Sequence, residues 1–199
     1  PHVGKETRPT LKDLYATLRD EHNPVAEELA DSLEMYAQGS MDSFAGQTNV
    51  RTSAYFNLYV MSDLGKTMQT LGMMSTLQHV RKCTYANYRI GKPTYLLVEE
   101  CQILFGNDAA VRMLDDYFSE LRKFGLHIIC VTQLPTRVLE HPLAVNLFEN
   151  SGWFVLLPQQ AKNVSLISET FHLSKSQESR IAASSEPGSG LVVADGFKI

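Results

Sequence analysis

The stretch Tyr95-Leu-Leu-Val-Glu-Glu100 decides the fold class, because four apolar residues in a row are followed at once by two acids. A second stretch of this kind, His127-Ile-Ile-Cys-Val131, is followed by Thr132 and Gln133. Short runs without polar alternation are typical of strands in a parallel sheet that is covered on both faces. Helical patterns alternate with these runs along the chain, which predicts an α/β fold.

Further strands are predicted on either side of these two. Tyr55–Val60 and Gly152–Leu157 are apolar runs of strand length, and Asp195-Gly196 between two apolar runs predicts a C-terminal β-hairpin. We therefore predict a mostly parallel sheet flanked by helices. The helical patterns cover about 66–82, 107–125, 142–149, 160–169 and 175–184, and residues 84–93 fit either a helix tail or a loop.

The N-terminal part of the chain has a different, purely helical pattern. Thr10 and Asp13 have the spacing of a capping box, and Asn23 before a proline can cap a second helix, which Gly39 would end. The polar, glycine-bearing residues 39–53 predict a loop. We expect a helical subdomain with its connecting loop at 1–53 and an α/β core portion at 54–199.

Composition excludes several classes of protein. Of 199 residues, 44% are apolar and 20% are charged, and the net charge is −4, as in a globular protein. No apolar run approaches the length of a membrane span, and the first ten residues lack the apolar core of a signal peptide. The acidic balance argues against a surface dedicated to coating nucleic acid. Three cysteines, an odd number without zinc spacing, are expected to be small core residues.

Glu99 and Glu100 are the first candidate site residues. Two acids at the end of a buried strand are costly unless they have a partner, and a magnesium nucleotide site is the usual one. In such a site one acid holds the metal through water and the next activates the attacking water. An apolar strand followed by two acids is the Walker B pattern. The alternative is a strand that runs out into a solvated acidic loop.

Thr132 and Gln133 occupy the same place on the next strand. Polar residues there often sense the γ-phosphate or orient the nucleophilic water, whereas the plainer alternative is a polar start of a loop. Arg122 and Lys123 end the preceding helix, where they complement the helix dipole. They could instead form an arginine finger that reaches the nucleotide of a neighbouring subunit.

Other motifs do not lead to a site. Gly65-Lys66-Thr67 matches the last three positions of the phosphate-binding motif G-x-x-x-x-G-K-[ST]. Val60, however, occupies the position where that motif requires its first glycine. The six histidines have no metal-binding spacing. Trp153 in its apolar run is expected to be a core residue.

In their order, the motifs resemble the C-terminal part of the conjugation ATPases of type IV secretion systems, of the VirB/Tra type, within the FtsK-HerA group of RecA-like P-loop motors. "YLLVEECQILF" is similar to the Walker B of that family, and "FSELRKFGLHIICVTQLP" to its Arg-Lys helix end and Thr-Gln strand. "LADSLEMYAQGSMDSFAG" resembles its helical insertion, "YFNLYVMSDLG" its Ser-Asp-Leu element, and the tail its closing glycine-rich hairpin. The resemblance covers nearly the whole chain.

The resemblance implies a RecA-like sheet and assigns roles to the candidate residues. Glu100 would be the catalytic base, Glu99 the acid linked to Mg²⁺, and Gln133 a sensor that also contacts ATP. Arg122, together with Lys123, would be a finger acting on another subunit. Asn150 would lie at the edge of the site.

The family also implies partners. These are the coupling and inner-membrane proteins of a secretion machine at the cytoplasmic face of the bacterial membrane, further copies of the protein in a hexamer, and DNA as a candidate. An exposed sheet edge would favour self-association of the chain.

Two departures from the family pattern leave other functions open. Glu99 replaces the usual Asp, which moves the carboxylate by about 1.5 Å, and the sequence contains no Walker A motif. We therefore expect that these 199 residues alone do not hydrolyse ATP. The alternatives are a DNA-pumping motor of the FtsK-HerA group and a non-catalytic docking domain of the secretion machine.

Overall fold

The chain was analysed as a computed structural model, which describes residues 8–47, 55–182, 188–194 and 197–198. It divides into two compact units, Pro1–Met68 and Gln69–Ile199. The helices are α1 (Leu11–Asp20), α2 (Pro24–Ala37), α3 (Lys66–Tyr88), α4 (Asp108–Ser119), α5 (Pro135–Leu139), α6 (Val145–Glu149), α7 (Ala161–Thr170) and α8 (Lys175–Ala182). The strands are β1 (Thr94–Val98), β2 (Leu126–Cys130), β3 (Trp153–Leu156), β4 (Leu191–Ala194) and β5 (Phe197–Lys198).

In the first unit, local signals set the two helices as predicted. Thr10 and Asp13 form the reciprocal capping box of α1, and the Asn23 side chain accepts a hydrogen bond from Val25 N at the start of α2. A Cβ at Gly39 would lie 2.8 Å from the backbone of Met35, so only glycine fits at this position, which follows the C-cap residue of α2. The predicted boundary at residue 53 lies outside the described residues.

The predicted strand Tyr55–Val60 is wrong, because these residues are irregular and pair with no strand among the described residues. Four of their apolar side chains are exposed, those of Tyr55, Phe56, Leu58 and Val60. Without a neighbouring strand to bond the backbone, an apolar run does not suffice to form one.

In the second unit, β1 and β2 pair in parallel, with Thr94 opposite Leu126 and Val98 opposite Cys130. The core packs on one face of this pair, where α4 contributes Val111 and Leu114. The opposite face is uncovered, because Tyr95 is 71% and Leu97 is 64% exposed. The expectation of a sheet covered on both faces is therefore wrong for the described part of the chain.

The predicted single, mostly parallel sheet is also corrected. β3 pairs with β4, not with β1 or β2, and both β3–β4 and β4–β5 are antiparallel. The sequence at 152–157 has no alternation of polar and apolar residues that would distinguish antiparallel from parallel pairing. Its partner is the C-terminal strand β4. The predicted turn at Asp195-Gly196 lies outside the described residues. The result is a helix-rich α/β fold with a two-stranded parallel sheet.

Trp153 is a second correction in this region, since its side chain is exposed and not part of the core. It alternates with Phe154, which points inward and stacks with Phe148 at a ring distance of 5.5 Å. Helix α3 continues to Tyr88, so the first part of the segment 84–93 is a helix tail and residues 89–93 form a turn and a loop. None of the described helices has both the length and the apolar character that a membrane span requires.

Tyr117 ties α4 to α3 and gives the core a measurable pH dependence. Its buried hydroxyl donates a hydrogen bond to the carbonyl of Leu77, and burial raises the pKa of Tyr117 to about 12. The unfolded chain releases this proton near the ordinary tyrosine pKa of about 10. The folded state therefore binds the proton more tightly, and stability is lost as pH rises from that value.

We expect the free energy of unfolding to fall by about 1.4 kcal/mol per pH unit between roughly pH 10 and pH 12 through this group. Tyr117→Phe makes that fall shallower and costs about 1 kcal/mol at neutral pH, because one buried hydrogen bond is lost. Urea unfolding from pH 8 to pH 12 measures both effects. Tyr95→Phe, at an exposed position, is the control, and an equal slope in Tyr117→Phe would contradict the assignment.

Candidate active site

The carboxyl ends of β1 and β2 bring the two predicted pairs of polar residues together. Beyond the last register pair, Val131 N donates to the carbonyl of Val98 at 2.9 Å, and Cys101 N donates to the carbonyl of Val131 at 3.0 Å. The backbone hydrogen bonds thus continue past the strands. They hold the turn at Glu99 and Glu100 against the turn at Thr132 and Gln133.

Glu100 is the centre of the site. It has a left-handed backbone conformation, with φ 53° and ψ 39°, and directly precedes the 3-10 helix Cys101–Gly106. For a residue with a side chain this conformation costs about 1–2 kcal/mol. Residues held in it are concentrated at functional sites. The turn directs the half-buried carboxylate toward β2, where Gln133 donates a side-chain hydrogen bond to Oε1.

Gln102 is a site residue that the sequence analysis missed. Its amide donates to Glu100 Oε2, and its Oε1 accepts a hydrogen bond from the Thr132 hydroxyl at 2.7 Å. Thr132 in turn accepts a hydrogen bond from Leu134 N at 3.1 Å. The only available signal was one polar residue inside the otherwise apolar run Cys101–Phe105.

Glu99 lies at the strand end with its side chain exposed, and no other residue in the described ranges pairs with it. A carboxylate that is free of protein partners fits Mg²⁺, which binds through one or two carboxylates, waters and substrate phosphates. Glu99 therefore offers one oxygen ligand of the kind that Mg²⁺ takes. The described residues contain no group of three or more His, Cys, Asp or Glu side chains that could form a metal cage.

Two neighbouring thiols, those of Cys101 and Cys130, interact beside the turn, and their hydrogen bond lowers the pKa of the Cys101 thiol. Cys101 is buried, Cys130 is half-buried, and both belong to the core cluster under β1 and β2. The hydrogen bond with Cys101 and burial raise the pKa of the Cys130 thiol well above its usual range. The prediction that these two cysteines are core residues is confirmed.

Arg122 and Lys123 are not brought to Glu100. They lie in the 3-10 helix Leu121–Phe124, before the first residue of β2, whereas Thr132 and Gln133 follow its last residue. A strand of five residues covers about 13 Å, so the two ends of β2 belong to opposite edges of the sheet.

Arg122 faces a separate cavity of about 410 Å³ between β2 and β3. Among its lining residues are His127, Asn150 and Trp153. Asn150 donates its side-chain amide to the carbonyl of Asn146 at 2.8 Å, so it closes the end of α6. The structure does not bring Asn150 to Glu100.

Comparison with known proteins gives a match in structure. No family model matches the chain, and no curated protein matches it. The fold is similar to that of VirB4 of Thermoanaerobacter pseudethanolicus, with a TM-score of 0.76 and 23% sequence identity. The similarity covers 96% of this chain and 54% of that one, so the chain spans about half the length of the VirB4 structure. The predicted resemblance is confirmed at the level of the fold.

Proposed function

We propose that this chain is part of an ATPase motor of a type IV secretion system and contributes the water-activating half of its Mg²⁺–ATP site. One observation carries the proposal: Glu100, held in a left-handed turn at the end of β1, is bonded to Gln133 at the end of β2. The similarity of the fold to VirB4 supports the choice of secretion among the functions of nucleotide motors.

The roles of the residues follow from their positions. Glu100 accepts the proton of the attacking water, because it is the half-buried carboxylate at the strand end. Gln133 is exposed and donates a hydrogen bond to Glu100, so it can orient that water and contact the γ-phosphate of ATP. Glu99 would hold Mg²⁺ through water, and the metal would neutralise charge on the phosphates.

We propose that the phosphate-binding half of the site comes from another part of a larger protein. The 199 residues contain no G-x-x-x-x-G-K-[ST] motif, and such a loop supplies the amides and the lysine that hold the phosphates. Alone, the chain would not hydrolyse ATP. We propose that in the full motor the sheet is RecA-like, with residues 54–199 as part of its α/β core and 1–53 as a helical subdomain.

The partners are proposed from the same similarity. They are other copies of the motor, arranged as a hexamer, and coupling and inner-membrane components of the secretion machine at the cytoplasmic face of a bacterial membrane. DNA is a candidate substrate for transfer. DNA-stimulated turnover would favour the alternative of a DNA-pumping motor. A full-length protein that neither binds nor hydrolyses ATP would favour a non-catalytic docking domain.

The uncovered face of β1 and β2 supports self-association of this chain. It presents four exposed apolar side chains, Tyr95, Leu97, Ile129 and Val131. Contiguous apolar patches of this kind mark interaction surfaces. We propose that a second copy covers this face when the chain is studied alone.

We expect the sedimentation coefficient of the chain to rise with concentration between about 5 and 200 μM, because burying such a face is favourable by about 25 cal/mol per Å². Leu97→Lys shifts the chain toward monomer, and Gln78→Lys, which adds the same charge at an exposed position on α3, does not. A concentration-independent monomer, or equal behaviour of the two variants, would contradict the proposal.

The test of the proposed function itself is Mg²⁺-dependent ATP hydrolysis by the full-length protein. Hydrolysis that depends on Glu100 supports it, and a full-length protein without nucleotide affinity overturns it.

A further inference from the structure

Glu100 is held from two sides by contacts that differ in burial. Gln102 donates to Oε2 and is 4% exposed, whereas Gln133 donates to Oε1 and is exposed to solvent. A buried hydrogen bond opens only when the surrounding structure opens, but an exposed one exchanges readily with water. The hydrogen bond from Gln102 should therefore last longer than the one from Gln133, although both amides donate to the same carboxylate.

The hydrogen bonds that end at Glu100 run in one direction. Leu134 N donates to Thr132 Oγ1, the Thr132 hydroxyl donates to Gln102 Oε1, and Gln102 donates to Glu100. An ionised carboxylate only accepts, so it is the natural end of such a series. Both ends of the Gln102 amide are satisfied, which fixes its orientation within the core.

We propose that Gln102 is a positioning residue that anchors Glu100 and couples it, through Thr132, to the end of β2, while Gln133 is the exchangeable contact. The catalytic part of this proposal rests on the proposed function. When nucleotide and water enter, Gln133 turns to them and frees Oε1 to accept a proton. Gln102 stays on Oε2 and keeps the carboxylate in place.

The network is tested without catalysis by exchange of glutamine side-chain amide protons, observed by NMR in the whole chain. We expect the Gln102 amide to exchange at least about tenfold more slowly than that of Gln133. Thr132→Val accelerates exchange at Gln102 because its acceptor loses its partner, and Thr132→Ser restores most of the protection. Equal exchange at Gln102 and Gln133 overturns the anchoring role, whatever the protein does with ATP.

The catalytic consequence is tested by steady-state hydrolysis in the full-length protein. Gln102→Met keeps the length of the side chain and removes both hydrogen bonds. We expect kcat to fall by about 10- to 100-fold with KM for ATP unchanged, because the base is misplaced while the nucleotide contacts remain. A Thr132→Val, Gln102→Met double variant loses little more than Gln102→Met, since both act through one series of bonds.

The control is Asn163→Leu, which replaces another amide side chain that is buried among the described residues and that donates to Gln159, outside the Glu100 network. It should leave kcat unchanged. Gln102→Met with unchanged kcat, or with a raised KM alone, overturns the positioning role. If Glu100→Gln leaves hydrolysis intact, the proposed function fails instead, and the exchange measurement still decides whether Gln102 anchors Glu100.

Discussion

Glu100→Gln in the full-length protein lowers kcat for ATP hydrolysis by at least about 10³-fold, because the group that accepts the proton of water is lost. Glutamine has the same size and cannot act as a base at neutral pH. The variant also replaces one acceptor oxygen by an amide, which faces the donating amide of Gln102 or of Gln133. The nucleotide contacts made by the phosphate-binding loop do not involve Glu100, so binding of ATP persists.

The measurement is steady-state phosphate release together with nucleotide binding by the same preparation. Glu149→Gln makes the identical change at an exposed position on α6 and should hydrolyse ATP at the wild-type rate. Retained binding with lost turnover supports Glu100 as the base. Unchanged turnover in Glu100→Gln would remove the basis of the proposed function.

The placement of Glu100 near Gln133 could be predicted from sequence because it depends on strand direction alone. Two parallel neighbouring strands have their carboxyl ends on the same edge, and the residues that follow them must meet there. Caps were predictable for a similar reason, since the Thr10–Asp13 box and Asn23 bond only to the backbone and side chains of their own turn. Such interactions need no knowledge of distant residues.

Partners of strands were not predictable in the same way. Trp153–Leu156 has an apolar pattern that suits a central parallel strand, yet it pairs with Leu191–Ala194 in antiparallel orientation. Tyr55–Val60 has an equally apolar pattern and pairs with nothing among the described residues. A strand is defined by the hydrogen bonds of its neighbour, and the pattern of one run carries no information about that neighbour.

Gln102 was missed because its role is created by tertiary contact. In the sequence it is one amide in an apolar run, whereas in the fold it joins the turn after β1 to the start of the loop after β2. Its burial, and not its residue type, distinguishes it from the exposed Gln133. A buried amide with both ends hydrogen-bonded can thus fix the position of an acid beside it.

Arg122→Ala in the full-length protein lowers kcat by about 10³-fold while nucleotide binding persists, if Arg122 acts as a finger on the nucleotide of another subunit. Within one subunit Arg122 precedes β2 whereas the site residues follow it, so a finger at Arg122 would have to act on the nucleotide of another subunit. Lys123 occupies the same turn, and we expect Lys123→Ala to have a smaller effect, since an ammonium lacks the planar fork that matches a phosphate. Arg112→Ala, at an exposed position on α4, is the control.

Mixing two inactive variants distinguishes action between subunits from action within one. A subunit with Arg122→Ala keeps Glu100, and a neighbour with Glu100→Gln keeps Arg122, so in the proposed hexamer mixed assemblies would contain interfaces at which both groups are intact. We expect such mixtures to recover a measurable part of the wild-type rate, whereas each variant alone stays inactive. Absence of recovery, with mixed hexamers demonstrated by mass spectrometry, would contradict the finger. Because the exposed Arg122 is separated from Gln133 by the length of β2, its role would then be confined to the cavity between β2 and β3.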